Sequence, residues 1–144
     1  VKPNNKMSMS LKLKLVQNKI KSRKQYGKWY ARRISSGVLT FEDLIQRMAK
    51  GRSLTEPDVL AVMTAFTEEL RQAMADGKDV EVGSLGTFML TVESIPVDNP
   101  KEFRSNKNIK RIKSVWHPAK TYREGSNGKM VELLARGVKV KIER

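Results

Sequence analysis

Apolar and polar residues alternate strictly over 11–16, Leu-Lys-Leu-Lys-Leu-Val. That period of two predicts a half-buried strand with Leu11, Leu13 and Leu15 inward. Residues 17–27 read as a basic loop ending at Gly27, and 28–35 as a second strand antiparallel to the first. Ser35-Ser36-Gly37 breaks the pattern. The period then changes to that of a helix. Thr40 is placed to cap a helix whose first turn carries Glu42 and Asp43, where carboxylates suit the positive helix end. Phe41, Leu44, Ile45, Met48 and Ala49 share one face, and Gly51 ends the helix. Thr55 caps the next, with Glu56, Pro57 and Asp58 in its first turn. Val59, Met63, Phe66, Leu70 and Met74 form its stripe, and Asp76-Gly77 stops it.

Past the helical hairpin the period returns to two. A short strand over 78–82 is followed by the turn Gly83-Ser84-Leu85-Gly86 and a strand over 87–95. Residues 96–107, with Pro96 and Asp98-Asn99-Pro100, read as a loop or irregular arm tip. A strand returns over 108–116, with Ile112 and Trp116 on one face and Arg111 and Lys113 on the other. Residues 118–124 are predicted as a short helix, Gly125–Gly128 as a break, 129–135 as a further helix, and 138–142 as a last alternating strand. That strand is expected to join the hairpin of 11–16 and 28–35, with Lys12, Lys14, Lys139 and Lys141 facing solvent.

Charge changes this picture. Residues 41–93 hold 5 Lys/Arg against 10 Asp/Glu, whereas the remainder holds 24 against 5. No acid precedes Glu42. A near-neutral to acidic helical centre between basic ends suits a scaffold presenting cations to a polyanion, and nucleic acid is the default candidate. The 144 residues suffice for one domain with tails or a small accessory element. There is no cysteine, which excludes disulfides and thiolate metal sites and fits a reducing compartment. No apolar run nears the roughly 20 residues of a membrane-spanning helix. Residues 1–10 are polar, carry no secretory pattern and are expected to be a disordered tail, with Met7 or Met9 as a candidate initiator.

Catalytic chemistry is thin. The single histidine, His117, has no carboxylate or second histidine near it in sequence and reads as a solvated turn residue. Gly128-Lys129 and Gly77-Lys78 both lack the flanking residues of a phosphate-binding loop. Gly83–Gly86 reads as a tight turn between strands. Gly125–Gly128, between Arg123 and Lys129, reads as a helix break or as a backbone clamp for single-stranded RNA. Trp29 and Tyr30 read as core or as base-stacking residues, and Trp116 as core. No cofactor, metal or small-molecule substrate is expected.

The order helix, helix, Asp76–Val82, Gly83-x-Leu85-Gly86-Thr87-Phe88, long basic excursion, strand, Trp116-His-Pro-Ala-Lys-Thr-Tyr-Arg123 resembles the HU/IHF family of bacterial histone-like DNA-binding proteins. The resemblance covers about 38–124, and its motif is moderately specific. It looks most like a variant with extra N-terminal and C-terminal strands. It implies an α+β fold: an intertwined dimer of helical hairpins, a three-stranded sheet and a protruding β-arm. The resemblance puts Phe41, Leu44, Met48, Met63, Phe66 and Leu70 in the dimer core. It puts Lys101, Arg104, Lys107, Lys110, Arg111, Lys113, Lys120 and Arg123 against duplex DNA. Family arms carry an Arg-Asn-Pro tip whose proline wedges between base pairs. Here Asp98-Asn99-Pro100 is the nearest match, so an acid stands where the family has a base.

These readings divide the chain into a tail (1–10), a β-hairpin extension (11–36), an HU-like domain (37–124) and a C-terminal helix and strand (125–144) packing on the extension. The expected function is a nucleoid-associated, cytoplasmic, homodimeric DNA-binding protein that bends or compacts duplex DNA by phosphate and minor-groove shape contacts. Two alternatives stay open: an HU-like dimer docking a protein partner, and a single-stranded RNA binder using Gly125–Gly128 or Trp29.

Overall fold

The computed structural model describes residues 10–122 and 130–144. The chain divides into two compact units, Val1–Asp43 with Ala135–Arg144, and Leu44–Leu134.

The first unit is built on a three-stranded sheet with its N-terminal strand in the middle. Strand β1 (Ser10–Gln17) pairs antiparallel with β2 (Trp29–Arg33), from Leu13 opposite Arg33 to Gln17 opposite Trp29. Strand β8 (Lys139–Ile142) lies parallel to the other edge of β1, from Ser10 opposite Lys139 to Leu13 opposite Ile142. The loop between β1 and β2 is closed by Asn18, whose backbone N–H donates to Lys28 O at 2.9 Å and whose side chain accepts from Ile20 N–H at 3.0 Å. Directly paired residues share a face. Leu11, Leu13, Leu15, Ala31, Val140 and Ile142 therefore form one face, together with Gln17, Trp29 and Arg33. Lys12, Lys14, Tyr30, Arg32, Lys139 and Lys141 lie on the other. The expectation that the leucine row is buried is corrected here. Leu11, Leu15, Val140 and Ile142 are exposed and Leu13 half-buried. One small sheet has no second layer of its own to cover an apolar face. Trp29 and Tyr30 are exposed as well, against the core reading.

Helix α1 (Phe41–Ala49), whose first three residues belong to the first unit and the rest to the second, starts where Thr40 Oγ1 accepts from Asp43 N–H at 3.2 Å. Arg52 Nη1 donates to Met48 O at 2.8 Å and so occupies a free carbonyl at its end. Helix α2 (Glu56–Ala75) carries a reciprocal cap: Asp58 N–H donates to Thr55 Oγ1, and Thr55 N–H donates to Asp58 Oδ2 at 3.1 Å. The Thr55 hydroxyl and backbone hold the Asp58 carboxyl below its ordinary pKa. Among the described residues only Ile45 and Val59 are buried hydrophobics. Met48, Met63, Phe66, Leu70 and Met74 are half-buried, and Phe41, Leu44, Leu60 and Val62 are exposed.

Strands β3 (Val80–Val82), β4 (Gly86–Ser94) and β5 (Ile109–Pro118) form an antiparallel sheet in that order. The turn from β3 to β4 is one 3-10 turn, Gly83–Leu85. The helices expected over 118–124 and 129–135 are corrected. Strand β5 runs on to Pro118, and β6 (Lys120–Tyr122) pairs antiparallel with β7 (Met130–Glu132). A 3-10 turn, Leu133–Ala135, follows. Pairing across the two segments overrides their local preference. Pro118 sits at the end of the ladder, opposite Gly86, where its missing N–H does no harm. His117 is likewise a strand residue, opposite Thr87, and not a turn residue. Gly125–Gly128 lies outside the described residues.

Candidate nucleic-acid interface

The candidate interface is the β4–β5 hairpin and the excursion at its far end. The register Phe88–Trp116, Leu90–Ser114, Val92–Ile112 defines one face, and Thr87–His117, Met89–Val115, Thr91–Lys113, Glu93–Arg111 the other. Arg111 and Lys113 thus part from Ile112 and Trp116 onto opposite faces, as their alternation predicts, with Val115 on the basic side. Gly86 anchors the hairpin at its root. It is buried, with φ of 123°. A Cβ there would meet the His117 carbonyl oxygen at 2.2 Å. The Trp116 indole N–H donates to Leu85 O at 2.9 Å and ties β5 to the β3–β4 turn, although its ring is partly exposed rather than core.

At the far end the pairing shifts: Glu93 opposes Arg111 but Ser94 opposes Ile109. Lys110 is the extra residue of this β-bulge, and a bulge re-aims the side chains beside it. Lys110 and Arg111 consequently both reach Glu93, with Lys110 Nζ at 3.4 Å and Arg111 Nε at 2.6 Å. Lys113 Nζ is 3.8 Å from the same carboxylate. Donation from Arg111 holds the Glu93 carboxyl below its ordinary pKa. Glu93 was not among the residues singled out from the sequence. It gathers three of the eight expected DNA-contacting cations, and its one legible signal is an acid on the strand facing a run of bases.

The excursion is a closed cap. Ile95 N–H donates to Asn108 O at 2.7 Å, and Arg104 N–H donates to Asn108 Oδ1 at 2.8 Å. Asn99 Oδ1 accepts from Lys101 N–H at 3.1 Å and caps a 3-10 turn that begins at Pro100, which is exposed. A one-turn helix, α3 (Ser105–Asn108), leads back into β5. Arg104 Nη1 donates to Lys101 O at 2.8 Å, so this guanidinium fastens the cap while keeping its charge. Among the described residues no carboxylate pairs with Lys101, Arg104, Lys107 or Lys120. Lys120 stands on β6 opposite Glu132. Arg123 lies outside the described residues. On the other face of the arm, Val92 and Ile112 form an exposed apolar pair, 59% and 67% accessible.

The six residues expected in a dimer core all lie on α1 and α2, and none is buried within the chain: Phe41 and Leu44 are exposed, the other four half-buried. No described helix is long and apolar enough to cross a membrane.

The fold is similar to that of a crystal structure from Bacteroides vulgatus ATCC 8482, provisionally designated a bacterial DNA-binding protein. The TM-score is 0.60 at 15% identity over 94% of this chain, which spans half the length of that one. None of the curated proteins matches the chain. The model of HU domains fused to a winged helix-turn-helix, an Ig domain or a glycine-rich motif matches residues 9–133. With two helices leading into a three-stranded sheet and a long β4–β5 arm, and with that model matching most of its length, the chain belongs to this family of fused HU domains.

Proposed function

We propose that the chain binds duplex DNA as a homodimer and bends or compacts it, reading phosphates and minor-groove shape with little base specificity. The observation that carries the reading is the arm: a nine-pair β4–β5 ladder ending in a fastened cap that presents Lys101, Arg104 and Lys107 with no carboxylate among the described residues paired to them. Such cations position a protein on the backbone without reading sequence. Lys110, Arg111 and Lys113 contribute a weaker share, because Glu93 already draws on their charge. Lys120 and Arg123 are proposed as further phosphate contacts, and Pro100 at the cap is the proposed wedge. A nucleoid, cytoplasmic location goes with this function.

The dimer is supported by the helical faces. Among the described residues Ile45 and Val59 are the only buried hydrophobics, while Phe41, Leu44, Met48, Met63, Phe66 and Leu70 keep apolar surface open that a second chain would cover. The second reading, a dimer docking a protein partner, is favoured by one observation, the exposed Val92–Ile112 pair. Binding to intact duplex, nicked or bent duplex and single strand at two salt concentrations separates the readings. Duplex binding whose log K falls with log salt by several units, at about 0.9 per phosphate contacted, is the expected result. A slope shallower than about 2 units would remove the basic surface as the binding face.

A further inference from the structure

The charge of the chain does not sit where the arm is. The unit Val1–Asp43 with Ala135–Arg144 holds 15 Lys/Arg against 3 Asp/Glu, a net of +12. The unit Leu44–Leu134, which contains the arm, holds 14 against 12, a net of +2. Nearly all of the formal +14 therefore belongs to the terminal unit. The sheet of that unit gathers much of it on one face.

On that face Lys12 stands directly opposite Lys141, and Lys14 directly opposite Arg32. Like charges paired across strands are destabilising. One carboxylate, Glu143, relieves this at Lys12, 3.5 Å away. Among the described residues no carboxylate pairs with Lys14, Arg32, Lys139 or Lys141, and all four are exposed. A polyanion laid on the face relieves the repulsion that the sheet cannot relieve itself. Same-face residues repeat about every 6.7 Å along a strand, so the face offers a close-spaced row of cations to the dense phosphate charge of a duplex, roughly one per 1.7 Å of its axis.

The arrangement selects among polyanions. An anionic membrane holds an amphipathic element by inserting its apolar face, with the cations as a supplement, whereas the cationic face itself carries only Val16 and Tyr30 among its cations and has no apolar row to insert. Single-stranded nucleic acid takes a row of aromatic platforms, and this face offers one, Tyr30. Tyr30 is itself exposed, and a tyrosine hydroxyl is a phosphate donor of the ordinary kind. We infer that the cationic face of the β2-β1-β8 sheet is a second duplex-DNA backbone site, built from Lys12, Lys14, Arg32, Lys139 and Lys141 and separate in its residues from the arm.

This inference shares its ligand with the proposed function but none of its residues, so the two fail separately. The full chain carrying Lys14→Gln, Arg32→Gln, Lys139→Gln and Lys141→Gln is titrated with duplex DNA over a salt series, beside a chain carrying Lys101→Gln and Lys107→Gln. With about 0.9 unit of slope per phosphate contact, the sheet variant should lose at least one unit of log K against log salt. A loss smaller than one unit in the folded variant overturns the site. Should the substitutions unfold the chain, lysine acylation of the unmutated protein decides. Duplex DNA should shield Lys14, Lys139 and Lys141. Shielding of Lys101 and Lys107 alone overturns the sheet site and keeps the arm, and shielding of the sheet lysines alone does the reverse. Shielding of none overturns both. Shielding of the sheet lysines by phosphatidylglycerol vesicles but not by duplex overturns the assignment to DNA.

Discussion

Replacing Gly86 by alanine should loosen the arm at its root, by an amount that can be worked from geometry. The new methyl carbon would lie 2.2 Å from the His117 carbonyl oxygen, 2.9 Å from Ala119 N and 3.0 Å from Pro118 Cα. All three are backbone atoms, so no side chain can swing aside. The residue also keeps φ at 123°, a region costing about 1–3 kcal/mol for an L side chain. Forcing the strands apart adds roughly 1–3 kcal/mol by analogy with overpacked cores. The sum is about 2–6 kcal/mol. Gly77 supplies the control: φ is 83° and nothing lies within 4 Å of its added Cβ, so Gly77→Ala should carry only the backbone strain, about 1–2 kcal/mol. At about 4–8 °C per kcal/mol for a unit of this size, thermal melts at equal protein concentration should put Gly86→Ala several degrees below Gly77→Ala. Because Gly86 pairs with both Val82 and Pro118, amide exchange should quicken in β3 and in the root of β5 as well. Melting midpoints that coincide for the two variants would refute the steric argument.

Glu93→Gln should release Lys110, Arg111 and Lys113 and steepen the salt dependence of DNA binding by about one to two units, whereas a shallower slope would mean that Glu93 positions those cations. The same residue makes a pH prediction. Its carboxyl is held below the ordinary range by Arg111, so its stabilising share is complete above the ordinary glutamate pKa and fades as pH falls through the lowered value. The difference in melting temperature between the unmutated chain and Glu93→Gln should accordingly shrink below about pH 4, and a difference independent of pH would contradict the ion pairing. Phe66→Asp should yield monomer or unfolded chain in sedimentation, since a charge buried unpaired at a dimer seam costs several kcal/mol; a stable monomer of the unmutated protein would remove the dimer. Deleting 137–144 strips β8 from β1 and should quicken amide exchange over 10–13, which unchanged protection there would disprove.

The parts legible in the sequence are those whose local signals agree with one another. Thr40 and Thr55 cap the helices that their flanking acids announce, and the alternation of β4 and β5 assigns the faces of the arm correctly. What was missed depends on partners distant in sequence. Nothing local tells that 120–122 and 130–132 pair as strands, because three-residue strands are specified by each other. The bulge at Lys110 is a register property of two strands and leaves no mark on one. Asn108, which fastens the cap, reads in sequence as one polar residue among several. Exposure is the other blind spot: alternation marks which face is apolar, as at Leu11 and Leu15, but not whether anything lies on it.

The parallel pairing of β1 with β8 joins positions far apart in the chain, Ser10 with Lys139. Strand β2 reaches β1 after a loop of about a dozen residues, so the hairpin can close early. The other edge of β1 stays open until 139–142 have been made, with the whole of the second unit in between. At roughly 5–20 residues per second, a ribosome takes on the order of ten seconds to cover that distance. Throughout that interval the nascent chain shows an unpaired strand edge, the kind of template that recruits other chains. Lys12 and Lys14 lie on that strand, and their mutual repulsion between copies opposes such pairing while synthesis continues.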